Sequence, residues 1–129
     1  MAGYTLRNLR EVEDAAPKFG FDHVLEARFG RRELECEHVA VSFERLKPHM
    51  RGPFGHRHEE QEEIYVVVGG SGRVKVGDDV LELRPWDALR VSPETMRQFE
   101  AGPDGLEVVV VGGPVGEKND AEIVPGWWS

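Results

Sequence analysis

The stretch Ile64-Tyr65-Val66-Val67-Val68-Gly69-Gly70-Ser71-Gly72-Arg73-Val74-Lys75-Val76-Gly77-Asp78-Asp79-Val80-Leu81-Glu82-Leu83 decides the fold class. Residues 64–68 form a dense β-branched run, which suits a pleated, half-buried surface. The Gly69-Gly70-Ser71-Gly72 cluster predicts a turn into a second strand that begins at Val74 and Val76. Gly77-Asp78-Asp79 is a tight hairpin signal before a third strand over 80–83. The glycine cluster is not a phosphate loop, because it lacks the Lys-Ser/Thr pair and opens a strand rather than a helix.

The same rhythm runs outward in both directions. Residues 35–46 alternate, with Val39, Val41 and Phe43 on one face and His38, Ser42 and Glu44 on the other. Alternation of this kind predicts a half-buried strand. Pro48, Gly52, Pro53 and Gly55 make a loop. Downstream, Pro85 and Asp87 turn the chain, residues 88–91 form a strand, and Pro93 ends it. The segments 98–101 and 106–111 complete the series, separated by Gly102-Pro103-Asp104-Gly105. Many short strands between Gly, Pro and Asp turns predict an all-β barrel or sandwich. Only the N-terminal part, 1–22, reads as helical. Asn8 caps a short helix, Glu11 follows three residues later, Leu9, Val12 and Ala16 supply the stripe, and Pro17 with Gly20 ends it. The last segment, 112–129, closes on Trp127-Trp128, which predicts an arm packed on the barrel or on a second subunit with both rings largely buried.

Composition narrows the function. The 129 residues are 40% hydrophobic and 31% charged, the profile of one soluble domain with a real core. Sixteen basic residues face 24 acidic ones, a net charge of −8, which argues against nucleic acid and anionic membranes as partners. No apolar run approaches the roughly 20 residues that span a bilayer. Residues 1–10 have no apolar stretch of the secretory kind, and the lone Cys36 cannot form an internal disulfide, so a cytoplasmic location is expected.

His56-Arg57-His58 carries the chemistry. In an extended segment residues two apart project to one face, so two imidazoles stand together as a first-row metal requires. Two surface histidines would give the same pattern. Glu59, Glu60, Glu62 and Glu63 around Gln61 read mostly as a solvated acidic loop. Here, however, four residues separate His58 from Glu63, and six more lead to Gly70. This run resembles the first conserved motif of the cupin superfamily: His-x-His, three or four residues, Glu, six residues, Gly. The motif's leading glycine is replaced by Met50. The resemblance spans 48–111. It implies a cupin-type double-stranded β-helix, or jelly-roll barrel, as one domain over 1–129, with the short N-terminal helix and the C-terminal arm appended. It also implies a homodimer.

The second cupin motif departs from its pattern. Trp86 takes the first glycine position, Glu94 the second, and Arg97 stands where the fourth metal ligand, a His, is expected. A turn needing positive φ should not host Trp, so 84–87 is expected to be a type I turn. By resemblance, His56, His58 and Glu63 would hold a divalent ion (Fe, Mn, Zn and Ni are not distinguished), while Arg97, Tyr65 and Phe99 would meet a small-molecule substrate. Arg97 cannot ligate a metal. A unit charge at ~5 Å with an effective ε of about 20 costs roughly 3 kcal/mol, and a divalent ion doubles that. Two alternatives stay open. One is a metal-dependent enzyme of the dioxygenase, isomerase or decarboxylase kind. The other is a metal-free barrel, with Arg97 paired to Glu63, that binds an anionic small molecule without catalysis.

Overall fold

The structure, a computed structural model, describes residues 3–129; Met1 and Ala2, the start of the expected N-terminal segment, lie outside the described residues. Among the described residues, eight strands follow one another: β1 Leu25–Phe29, β2 Ala40–Leu46, β3 Gly55–His58, β4 Glu62–Val76, β5 Asp79–Leu83, β6 Ala88–Val91, β7 Arg97–Gly113 and β8 Ala121–Val124. Every pairing is antiparallel, in the order β1-β2-β7-β3-β8, with β4 pairing to β5, β6 and β7. The sheet curls into a double-stranded β-helix around β4 and β7.

Gly69–Gly72 is not a turn between two strands, as the glycine count predicts, but a bend inside one 15-residue strand. The first half of β4 pairs with the second half of β7, from Glu62↔Gly113 to Val67↔Val108. After two register shifts, the second half of β4 pairs with the first half of β7, from Gly72↔Ala101 to Val76↔Arg97. The bend needs a glycine at position 70. Its φ is +71°, and a Cβ there would stand 2.0 Å from the Gly105 carbonyl oxygen. β-Bulges of this kind turn a strand without ending its ladder.

The core is the cluster Leu46, Tyr65, Val67, Val74, Leu83, Val91, Ala101, Leu106, Val108 and Val110. Its parity sets the orientation of β2. Ser42, Glu44 and Leu46 pair with Val110, Val108 and Leu106, so they share the inner face. Phe43 is buried on the outer face instead, where the Arg10 guanidinium lies 4.9 Å from its ring centroid. The N-terminal segment that brings Arg10 there is not an α-helix. It is two 3-10 turns, Leu9–Glu11 and Ala16–Phe19, the first capped by the Asn8 side chain accepting from Arg10 N. No helix among the described residues is long and apolar enough to cross a membrane.

The C-terminal arm packs on the barrel, but its two Trp are half-buried rather than enclosed. Arg51 and Arg73 lie over the Trp128 ring at 4.2 and 5.4 Å, and Lys75 over Trp127 at 4.6 Å.

The turn at Arg84–Asp87 also differs from expectation. Asp87 N donates to Arg84 O at 3.1 Å, but Trp86 has φ +75°, so the turn is type II with a non-glycine residue in the left-handed region. Left-handed backbone costs a side-chain-bearing residue roughly 1–2 kcal/mol, and glycine gives back about half of that in unfolded-state entropy. Trp86 is 77% exposed, so little packing offsets the strain. Trp86→Gly is therefore expected to raise unfolding stability by about 0.5–1 kcal/mol. Urea unfolding of the two proteins checks this; an equal or lower midpoint for the variant would show that Trp86 is not strained.

Candidate metal centre

Three strands deliver the residues of the site. β3 carries His56 and His58 on one face, their ring centroids 5.1 Å apart. β4 carries Glu63 and, two residues on, Tyr65. β7 opens with Arg97, whose Cα is the register partner of His56. Gly112 on β7 faces Glu63, and a Cβ there would lie 3.1 Å from Glu63 Cγ and 2.5 Å from Gln61 Oε1. A side chain at 112 would push the carboxylate out of place.

Four groups converge on one oxygen, Glu63 Oε1. Tyr65 OH donates to it at 2.6 Å and Arg97 Nη2 at 3.0 Å. His56 Nε2 lies at 3.2 Å and His58 Nε2 at 3.3 Å. Burial alone would raise the Glu63 pKa, yet the adjoining His56 and His58 imidazoles and the Tyr65 hydroxyl hold it well below the usual carboxylate range. Burial, with the Glu63 charge beside it, pushes the Tyr65 phenol well up, so Tyr65 stays a donor.

Arg97 is fully enclosed, at 0% exposure. Besides Glu63, its Nε donates to Tyr65 OH at 3.2 Å, and its Nη1 to the carbonyls of Thr95 and Pro93 at 2.7 and 3.3 Å. Phe99 stacks on Tyr65 with centroids 4.7 Å apart. Two cavities meet at this wall. The larger, about 500 Å³, is lined by His56, His58, Glu63 and Tyr65. The smaller, about 110 Å³, is lined by Arg97, Phe99 and apolar residues such as Leu46 and Leu106. Tyr65 borders both, whereas Arg97 and Phe99 border only the inner one. Tyr65 thus faces the larger cavity, with Arg97 and Phe99 on the side of the smaller one.

The donor set fits a metal ion. One ligand atom each from His56, His58 and Glu63 lies within 4.8 Å of the others. Ligands about 2.0–2.2 Å from one ion at 90–109° stand roughly 2.9–3.5 Å apart, and the two His–Glu spacings of 3.2 and 3.3 Å fall in that range. His58 Nε2 is buried without a hydrogen-bond partner, so its alignment toward Glu63 is not a hydrogen bond. Its Nδ1 lies 2.7 Å from Asp120 Oδ1. Burial would lower the His58 pKa, but the carboxylates of Glu63 and Asp120 outweigh it and raise the pKa. The Asp120 pKa falls to about 2: burial opposes the shift, and the N–H groups of Glu60 and Gln61 together with His58 overcome it.

Two acids of the site are not visible in sequence. Asp120 lies 62 residues from His58, and only the β3–β8 register joins them. Glu44 borders both cavities from β2. Alternation puts it on the face opposite Phe43 but does not say which face is inner. Of the acidic run, Glu59, Glu60 and Glu62 are exposed, and only Glu63 is buried.

No protein-family model matches the chain, and no curated protein is significantly similar. Solved structures are. A cupin protein from Bacteroides fragilis matches with TM-score 0.72 and 22% identity, over 92% of this chain and 91% of that one. A variant of Streptomyces PAC13 with uridine matches with TM-score 0.74 and 20% identity, over 97% and 93%. Oxalate decarboxylase from Bacillus subtilis matches with TM-score 0.74 and 20% identity, over 92% of this chain and 32% of that one. The chain has the cupin fold.

Glu44 sets a pH dependence. Burial first, and then the Glu63 charge, raise its pKa from 4.5 to about 7. A raised carboxyl pKa means that the folded state binds the proton more tightly than the unfolded one, so stability falls as pH climbs from the unfolded value through the folded one. Glu63 and Asp120, shifted downward, are constant contributors above pH 4.5, and His58 enters only above 6.5. The metal-free protein should lose about 2 kcal/mol between pH 4.5 and 6.5, and Glu44→Gln should flatten that slope. Urea titrations across the interval check it; parallel slopes would show that Glu44 ionises freely in the fold.

Proposed function

We propose that this chain is a small-molecule enzyme of the cupin type, with a divalent metal held by His56, His58 and Glu63 and with Arg97 in place of the usual fourth ligand. The observation that carries the proposal is His58 Nε2, a buried nitrogen with no hydrogen-bond partner at ligand spacing from Glu63 Oε1. A divalent ion there would polarise a substrate oxygen as a Lewis acid. The protein's part is to exclude water, to keep Glu63 ionised and to present the Tyr65 phenol beside it. That PAC13 was solved with uridine and that a fold neighbour is a decarboxylase support a small-molecule ligand of the size the larger cavity admits.

A second reading rests on a specific contact. Arg97 Nη2 already donates to Glu63 Oε1 at 3.0 Å, so the guanidinium can neutralise the carboxylate that an ion would need. On this reading the barrel binds a small molecule without a metal. The same proposal includes a homodimer. Ile64 and Val111, register partners on the outer face, are 42% and 39% exposed and offer apolar surface to a second copy. The unpaired Cys36 supports a cytoplasmic location.

Calorimetric titration of the stripped, untagged protein with Zn²⁺ and Mn²⁺ separates the two readings. One ion per chain is expected, lost in His56→Ala and in Glu63→Ala. Arg97→His adds a ligand and removes a charge, so affinity should rise at least tenfold, about 1.4 kcal/mol. Arg97→Ala, which removes only the charge, should raise it less. No binding by the wild type or by Arg97→His would leave the metal-free reading standing.

A further inference from the structure

The end of the chain enters the site through a single carboxylate. β8 lies on β3 in a fixed register, with Gly55↔Val124, His56↔Ile123, Arg57↔Glu122 and His58↔Ala121. That register places Asp120, the residue before β8, beside His58 at the far end of β3. Both of its oxygens are used. Oδ1 lies 2.7 Å from His58 Nδ1, while Oδ2 accepts from Glu60 N at 2.9 Å and from Gln61 N at 3.1 Å. One side chain thus joins the end of β3, the turn into β4 and the start of β8, two residues before Glu63.

The chemistry of that contact is one-sided. An ionised carboxylate only accepts, so the ring nitrogen facing it must carry the proton. With Nδ1 protonated, a neutral His58 holds its lone pair on Nε2, the buried nitrogen that lies 3.3 Å from Glu63 Oε1 without a hydrogen-bond partner. A histidine ligand is oriented by the hydrogen bond its other nitrogen makes, and loss of such a partner typically weakens metal binding 10–100-fold. His56 has no comparable partner: its Nε2 approaches Glu63 and Tyr65, and no carboxylate meets its Nδ1 among the described residues.

We infer that Asp120 is a positioning residue that holds neutral His58 in its Nδ1–H tautomer and aims the Nε2 lone pair into the site, so that the C-terminal arm is part of the ligand apparatus. The inference rests on the proposed metal site for its consequence, but the tautomer can be read without any metal. Long-range ¹H–¹⁵N NMR of the metal-free protein, above the His58 titration, should show Nδ1 protonated and Nε2 bare. Asp120→Ala should shift His58 toward the Nε2–H form. Glu122→Ala is the control for a loosened arm, because it removes the exposed Arg57 Nε–Glu122 Oε2 bond of 2.6 Å and leaves Asp120 intact. It should leave the tautomer unchanged. Zn²⁺ titration adds a second readout: at least tenfold weaker binding for Asp120→Ala, with Glu122→Ala close to the wild type. An unchanged tautomer in Asp120→Ala, or an equal change in both variants, would overturn the inference. Failure of the wild type to bind Zn²⁺ would count against the metal site alone, with the tautomer result still deciding the role of Asp120.

Discussion

One desolvated carboxylate organises the interior of this barrel. Glu63 is 8% exposed, and an ionised carboxylate in that setting is costly unless it is paired and hydrogen-bonded. The barrel surrounds it with a guanidinium, a phenol and two imidazoles, all directed at Oε1. Each of those groups is itself held. Arg97 is held by the carbonyls of Pro93 and Thr95, Tyr65 by Phe99, and His58 by Asp120. The curled sheet is the device that brings β3, β4 and β7 to one point, and the bends in β4 and β7 let each long strand serve both halves of the barrel.

Arg97 gives the site its particular character. A histidine at 97 would add a neutral ligand; the arginine adds a fixed positive charge and fills the space behind the carboxylate. Four of its five N–H donors are engaged by Glu63, Tyr65 and two carbonyls, and it borders the smaller cavity rather than the larger. The competition between Arg97 and a divalent cation for one carboxylate is the electrostatic question of this protein. Roughly 6 kcal/mol of repulsion at ~5 Å and an effective ε of about 20 is set against the Glu63 charge that both cations share.

The strands and the His56, His58, Glu63 constellation were legible because both obey a local rule, alternation in one case and fixed spacing in the other. The parts that were not legible depend on contacts between distant segments. Gly69–Gly72 looks the same in sequence whether it ends a strand or bulges it; the difference lies in β7, which continues pairing on both sides. The alternation of β2 separates two faces without saying which is inner, and Phe43 finds its cover in the N-terminal segment rather than in the core. Glu44 therefore carries no local signal of its inner position. Asp120 has no local signature at all and becomes functional only through the β3–β8 register. Trp86 adopts a positive φ against its own preference, and no contact in the structure explains why a tryptophan stands there.

The central claim is that His56, His58 and Glu63 form a ligand set which Arg97 moderates without abolishing. Anomalous diffraction from crystals grown with excess Zn²⁺ tests it most directly. One strong peak should appear within about 2.0–2.3 Å of His56 Nε2, His58 Nε2 and a Glu63 oxygen, with Arg97 still enclosed behind them. A map without a peak at that position, with Arg97 and Glu63 paired as they are here, would contradict the claim and leave the barrel metal-free.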